Sequence, residues 1–258
     1  MRLRASARWL IAAAVVVVAA LVVVAFAISE GDGDDEEGAA AQSSFQEAIR
    51  RAPERLRQLP SYAYTTSLEV QLPGAGGELG ATTASGQASG EVVPPDRLRQ
   101  VATTTVGSIS AEEELVRVPE GEFIKRPDGY FEGLGELNTF LLSVPSLWSE
   151  LAGVSQLFPA DPEGVEDQVD GVACRRYEVD EVRLLLIKDH VLRLFGAVSS
   201  AEELPDFYEV ELCFSEEDDT LLRVAISGER RDAQEQVVQF ELESTVTDIG
   251  EDFAIELE

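Results

Sequence analysis

SYAYTTSLEVQL, Ser61–Leu72, changes character at every residue. Tyr62, Tyr64, Thr66, Leu68, Val70 and Leu72 share one side, and Ala63, Thr65, Ser67, Glu69 and Gln71 share the other. A period of two is the signature of a strand with one face on a core and one in water. The same alternation recurs downstream. ASGEVVPPDRLRQVATTTV (Ala88–Val106), EEELVRV (Glu112–Val118) and GEFIKRPDGYFE (Gly121–Glu132) read as successive strands. Turns fall at Pro94-Pro95, Pro119–Gly121 and Asp128-Gly129, and PGAGGELGATTASG (Pro73–Gly86) reads as a hairpin tip. GVACRRYEVD, DFYEVELCFS, TLLRVAISGE, QVVQFELESTVTDIG and the closing DFAIELE (Asp252–Glu258) resume the alternation. About ten strands result, and links this short suit antiparallel meanders, because parallel crossovers need about a dozen residues or more.

Three stretches break the pattern. SFQEAIRRAPERLRQLPSY opens with Phe45, Ile49, Leu56 and Leu59 at helical spacing, with Pro53 interrupting or restarting the helix. Leu137–Phe158 and Glu181–Val198 carry apolar residues at helical spacing, the second rich in leucine. The fold class expected is α+β, mainly β. It is one large, strongly bent antiparallel sheet that closes into a barrel or wraps a hydrophobic hollow, with helices over its apolar face, following an N-terminal transmembrane helix; an ordinary filled core is the alternative to the hollow.

That first helix is MRLRASARWLIAAAVVVVAALVVVAFAI, residues 1–28. Arg2, Arg4 and Arg8 precede a run from Trp9 to Ile28 without a charge. The run has the roughly 20 apolar residues that cross a bilayer. Its flanks place the N-terminus inside and the rest outside, a single-pass cell-membrane protein. AFA at Ala25–Ala27 supplies the alternative, a signal peptide cleaved near Ala27 and a secreted product. Residues 29–44 are acidic, glycine-rich and without large apolar side chains, a solvated tether. Their spacing fits no EF-hand loop. Residues 45–258 form one domain.

The chain has 20 basic and 49 acidic residues, a net charge of −29. Without the three arginines of the first segment, 17 basic stand against 49 acidic residues, a balance of −32. Nucleic acid and anionic lipid headgroups are repelled by such a surface at long range. The one histidine, His190, sits in an apolar run of helical spacing, so Ser-His-Asp and Cys-His devices and most zinc sites lack a member. No G-x-S-x-G, H-E-x-x-H, P-loop or G-x-G-x-x-G occurs. The carboxylates fall on alternate strand positions or in turns such as SEEDD, Ser215–Asp219. No enzyme activity, cofactor or metal is expected; a glycosidase using paired carboxylates is the enzyme alternative.

Cys174 and Cys213 are the two cysteines. By parity Cys174 falls with Arg176 and Glu178, and Cys213 with Glu209 and Glu211, both on the water-facing side of the sheet. In an exported domain this reads as one disulfide. Arg175 and Arg176, able to lower a thiol's pKa, leave a redox thiol as the alternative.

The order SYAYTTSLEV, GEVVPPDRLRQV, ELVRVPEGEFIKRPDGYFE, VDGVACRRYEVD and YEVELCFSEEDDTLLRVAISGE is similar to the LolA/LppX-like (LppX/LprG-type) lipoprotein-carrier superfamily. The resemblance covers most of Phe45–Glu258. It implies a half-barrel whose mouth is closed by helices and which shelters lipid or acyl chains without catalytic residues. No lipobox cysteine is present, unlike the lipid-anchored branch. The expected function is an extracytoplasmic, monomeric binding protein for a lipid or acylated ligand, in lipid or lipoprotein trafficking. The candidate lining is Tyr62, Tyr64, Leu68, Tyr177, Tyr208, Val210, Leu212 and Phe214, with Leu141, Leu142, Trp148, Leu185 and Leu186 as lid. The alternative function is an envelope sensor of RseB type that acts through a membrane-protein partner.

Overall fold

The computed structural model describes residues 44–72, 82–126, 129–132, 142–185, 187–188, 191, 204–231, 235 and 237–257. The expected membrane segment 1–28, the tether up to residue 43, His190, Leu141 and Leu186 lie outside them. Among the described residues no helix is long and apolar enough to cross a membrane.

Helix α1 (Ser44–Gln58) leads into six strands, β1 (Tyr62–Leu72), β2 (Thr82–Val93), β3 (Arg97–Val106), β4 (Ile109–Val118), β5 (Gly121–Arg126) and β6 (Gly129–Glu132). Helix α2 (Val144–Gly153) and a 3-10 turn (Ser155–Leu157) follow. Five more strands complete the chain: β7 (Gly164–Val169), β8 (Val172–Val182), β9 (Tyr208–Ser215), β10 (Leu221–Arg231) and β11 (Val237–Thr247). All eleven belong to one antiparallel sheet of order β6-β5-β4-β3-β2-β1-β11-β10-β9-β8-β7. Two meanders are therefore welded at the β1–β11 pair, and the chain crosses from one edge to the other through α2. No pairing joins β6 to β7 among the described residues, so the sheet is open.

Register confirms the face assignment. Tyr64 is opposite Gly90 on β2 and Val246 on β11; Leu68 is opposite Gly86 and Leu242. Opposed residues of antiparallel strands point to one side. The inner side of β1–β3 and β8–β11 packs with Phe45, Ile49, Ala52 and Leu56 of α1 and Val144, Leu147, Trp148 and Leu151 of α2 into one core. Both wings of the sheet thus wrap the same two helices. This is the half-barrel with helices at its mouth that the sequence resemblance implies.

Several local expectations are corrected. Helix α1 runs unbroken through Pro53, because the buried stripe Phe45, Ile49, Ala52, Leu56 holds both halves on the sheet. The Leu137–Phe158 helix shortens to Val144–Gly153 in its described part, beginning with Pro145 in the first turn, where a missing N–H is harmless. Strand β8 extends through Glu181 and Val182, where a helix was expected. Glu181 has φ 58° at a break in the β8–β9 register, and only after it are Leu185, Ile187, Lys188 and Val191 helical. The expected hairpin tip Pro73–Gly86 gives way to β2 from Thr82 onward. Its Gly86 sits under the Leu142 side chain, which a Cβ there would approach to 3.1 Å.

DFAIELE forms no strand among its described residues. Both edges of β1 are taken by β2 and β11, so the tail has no edge there to pair with. It lies instead on the outer face, where Ile255 is buried against Val116 and Val118, with Val93, Phe123 and Phe253 around them. Arg97 Nη1 donates to the Ile255 carbonyl at 2.9 Å.

Candidate functional site

Cys174 and Cys213 are bonded, with Cα atoms 5.7 Å apart, on the outer face of the neighbouring strands β8 and β9. The face is the expected one, but its exposure is not. Both sulfurs are fully buried with Val169 and Leu222. A register shift between Leu221 and Arg223 accompanies Leu222's burial in this outer cluster. Ion pairs border it. Arg176 lies 3.4 Å from Glu211 and 3.2 Å from Glu178; Arg223 lies 3.1 Å from Asp167 and also pairs with Glu211. Arg175 lies 3.3 Å from Glu216, so both arginines expected to lower a thiol's pKa are engaged by carboxylates.

Inside the half-barrel, Tyr62, Tyr64, Leu68, Leu142, Trp148, Tyr208, Val210, Leu212 and Phe214 all belong to the single core, each at most 4% exposed. Burial pushes the hydroxyls of Tyr62, Tyr64 and Tyr208 upward in pKa. Tyr64 donates to Gln100 Oε1 at 2.5 Å, and Trp148 Nε1 donates to the Leu221 carbonyl at 3.0 Å. These bonds let polar atoms sit in an apolar interior. The candidate lining therefore comes together, as interlocked side chains rather than as walls of an open hollow. Leu185 is half exposed and stands apart from it.

Among the described residues, a cleft opens beside the core between α1 and strands β8 and β9. A cleft of about 270 Å³ is lined by Phe45, Ala48, Tyr177 and Phe214, with Glu47, Arg51, Arg55 and Asp219 also on its wall. Its floor is aromatic. Phe45 meets Tyr177 at 4.6 Å centroid distance with the rings tilted by 45°, and Phe214 meets both rings edge-on at 6.1 Å. Phe158 closes on Phe45 at 6.3 Å. Local sequence explains the placement. Phe45 and Ala48 are one turn apart on α1, with Arg51 and Arg55 continuing that row. Tyr177 is opposite Leu212 and Phe214 opposite Arg175 in the β8–β9 register, which puts both rings on the inner face.

The polar wall is partly neutralised. Arg50 and Arg51 both pair with Glu47. The hydrogen bond from Arg50 holds the Glu47 carboxyl below its ordinary pKa. Beside Asp219, burial raises Asp218, but hydrogen bonds from Thr220 and Ser215 and the charge of Arg55 outweigh it and leave its pKa lowered. Tyr177 is pushed up by burial.

Sequence reading found Tyr177 and Phe214 and missed Phe45, Ala48, Arg51, Arg55 and Asp219. The signal for the helix residues was available: α1 carries four arginines against two glutamates in a chain that is otherwise strongly acidic.

Larger depressions also occur among the described residues. One of about 330 Å³ holds Leu68, Ile226 and Leu242 together with Glu69, Glu241 and Glu243. Two more are rimmed by polar groups. One of about 500 Å³ on the outer face is lined mainly by hydroxyls and amides, including Thr65, Ser67, Gln87, Ser89 and Thr103. Another, about 610 Å³, is ringed by Asp180, Glu181, Glu209, Glu229 and Glu241. Hydroxyls and amides dominate the first, and carboxylates rim the second, which also holds Phe207, Tyr208 and Phe240. Among the described residues, the carboxyls with shifted acidity, Glu47, Asp167, Asp206 and Asp218, all shift downward, opposite to a general acid working near neutrality. Among the described residues no cluster of three metal-ligating side chains forms.

The chain matches no protein-family model and no curated protein. It is similar to the solved structure of LprF from Mycobacterium bovis, at 14% identity over 82% of this chain and 95% of that one, with a TM-score of 0.43. It is also similar to MucB in complex with MucA, at 12% identity over 83% of this chain and 60% of that one, TM-score 0.32. A LolA superfamily protein from Nitrosomonas europaea is similar at 8% identity over 82% of this chain and 95% of that one, TM-score 0.27.

Proposed function

We propose that this is an exported, non-enzymatic binding protein that shelters an apolar chain between α1 and the inner face of its half-barrel. The observation that carries the reading is the aromatic-floored cleft of Phe45, Tyr177 and Phe214, continuous with the core and open at one side. Each methylene of a bound acyl chain that leaves water would contribute about 0.8 kcal/mol. A short chain fits the cleft as it stands. A longer one displaces α1, which rests on the sheet through Phe45, Ile49, Ala52 and Leu56. Residues 1–28 hold the domain at the outer surface of the cell membrane, where such ligands are found.

Native mass spectrometry of the full chain tests this. The expected result is one co-purified amphiphile per chain, replaceable by a fluorescent fatty acid. A ligand-free chain that also ignores the fatty acid would overturn the reading.

A further inference from the structure

We propose that Arg51 and Arg55 form an anionic headgroup subsite at the mouth of the α1 cleft, so that the sheltered ligand is an amphiphile bearing a phosphate or carboxylate. This rests on the acyl-binding reading above and adds the chemistry of the polar end.

The charge distribution carries it. Residues 45–258 hold 17 basic against 43 acidic residues, yet α1 alone has Arg50, Arg51, Arg55 and Arg57 against Glu47 and Glu54, a balance of +2. Arg51 and Arg55 are one turn apart and line the same cleft as the aromatic floor. Arg51 shares Glu47 with Arg50, so Glu47 keeps a cation when Arg51 turns to a ligand. Arg55 is half-buried, and among the described residues no carboxylate forms an ion pair with it. Its charge lowers the pKa of Asp218, whose oxygens also accept from Thr220 N at 3.1 Å and Thr220 Oγ1 at 2.8 Å.

A guanidinium partly withdrawn from water binds an anion more strongly than an exposed one, because the surrounding dielectric is lower. Glu47 and Asp219 on the same wall oppose a bare anion, and the net charge of −29 repels one at long range. The aromatic floor overcomes that repulsion only for a molecule that also brings an apolar chain. The geometry thus selects chain and charge together, with the chain toward Phe45 and Phe214 and the headgroup toward Arg55.

The test uses the full chain in amphipol, titrated with dioctanoyl phosphatidic acid, dioctanoylglycerol and inorganic phosphate, each below any micelle concentration. Phosphatidic acid is expected to bind about tenfold more tightly than dioctanoylglycerol, the scale of one charge-assisted contact. Arg55→Gln, alone and with Arg51→Gln, is expected to remove that advantage, read as the ratio of the two lipid affinities within each variant, and Arg55→Lys to retain part of it. Matching melting temperatures show that the variants fold. Equal binding of the two lipids, or an advantage that survives Arg55→Gln, overturns the headgroup subsite and leaves the acyl-binding reading standing. Displacement of phosphatidic acid by submillimolar inorganic phosphate overturns it too, in favour of a free-anion site. Binding of neither lipid overturns the acyl-binding reading itself.

Discussion

Tyr64 lies across Gly90. The two are direct partners in the β1–β2 register, and a Cβ on Gly90 would come within 2.3 Å of the tyrosine ring. The missing side chain lets the ring lie against the β2 backbone and reach Gln100. Tyr208 uses Gly228 in the same way, with a Cβ contact of 2.8 Å, and Tyr177 uses its register partner Gly164 at 2.7 Å. Gly90→Ala is expected to cost about 1–3 kcal/mol through overpacking of a filled core. A denaturant midpoint measures it; an unchanged midpoint would mean that the ring is free to move aside.

The disulfide closes a loop with a sequence separation of 39. Chain-entropy scaling gives roughly 3–4 kcal/mol for a loop of that size. Alkylation under denaturing conditions is expected to find no free thiol. Because both sulfurs are buried with Val169 and Leu222, Cys174→Ser with Cys213→Ser should be less stable than the corresponding double alanine variant, since two hydroxyls would be buried without partners. Hydrogen exchange should rise first between residues 183 and 191, inside the released loop. Equal stability of the serine and alanine pairs would place the sulfurs in water.

Asp167 supplies a pH dependence. A hydrogen bond from the Gln168 N–H, aided by Arg223 and Arg176 against the effect of burial, lowers its pKa in the fold. A depressed native pKa stabilises the fold above the unfolded value, about 4, and that contribution is lost as pH falls through the native value. The stability gap between the native chain and Asp167→Asn should therefore be constant from pH 7 to about 5 and close below about 4. A gap that widens on acidification would contradict the assigned ion pairs.

The C-terminal tail makes a separate prediction. Ile255→Ala is expected to cost about 2–4 kcal/mol, the range for emptying a buried aliphatic site. Ending the chain at Gly250 should expose Val116, Val118 and Phe123 and increase binding of a hydrophobic dye. No increase would mean that the patch is covered by other means.

Much of this was legible in the sequence. Alternation in Ser61–Leu72 gave the inner face of β1 residue by residue, and parity alone put Cys174 and Cys213 on one side of the sheet. What alternation could not show is which outer residues are covered. Ile255 and Leu222 sit on or against the outer face, so period-two reasoning sends their neighbours to water. Burial there comes from a tail and a register shift, both set by tertiary contacts. The candidate cleft was half visible for a related reason. Tyr177 and Phe214 announce themselves by strand period, whereas Phe45, Ala48, Arg51 and Arg55 matter only once α1 is laid over β8 and β9.

The central claim, an apolar chain held beneath α1, is tested most directly by photocrosslinking the full chain with a diazirine-bearing fatty acid and mapping the labelled peptides. Label is expected on α1 near Phe45 and Ala48 and on the strand segments holding Tyr177 and Phe214, with Ala48→Trp abolishing it while the protein stays folded. Label confined to the outer-face depression around Thr65 and Thr103, or label at α1 that survives Ala48→Trp, would contradict it.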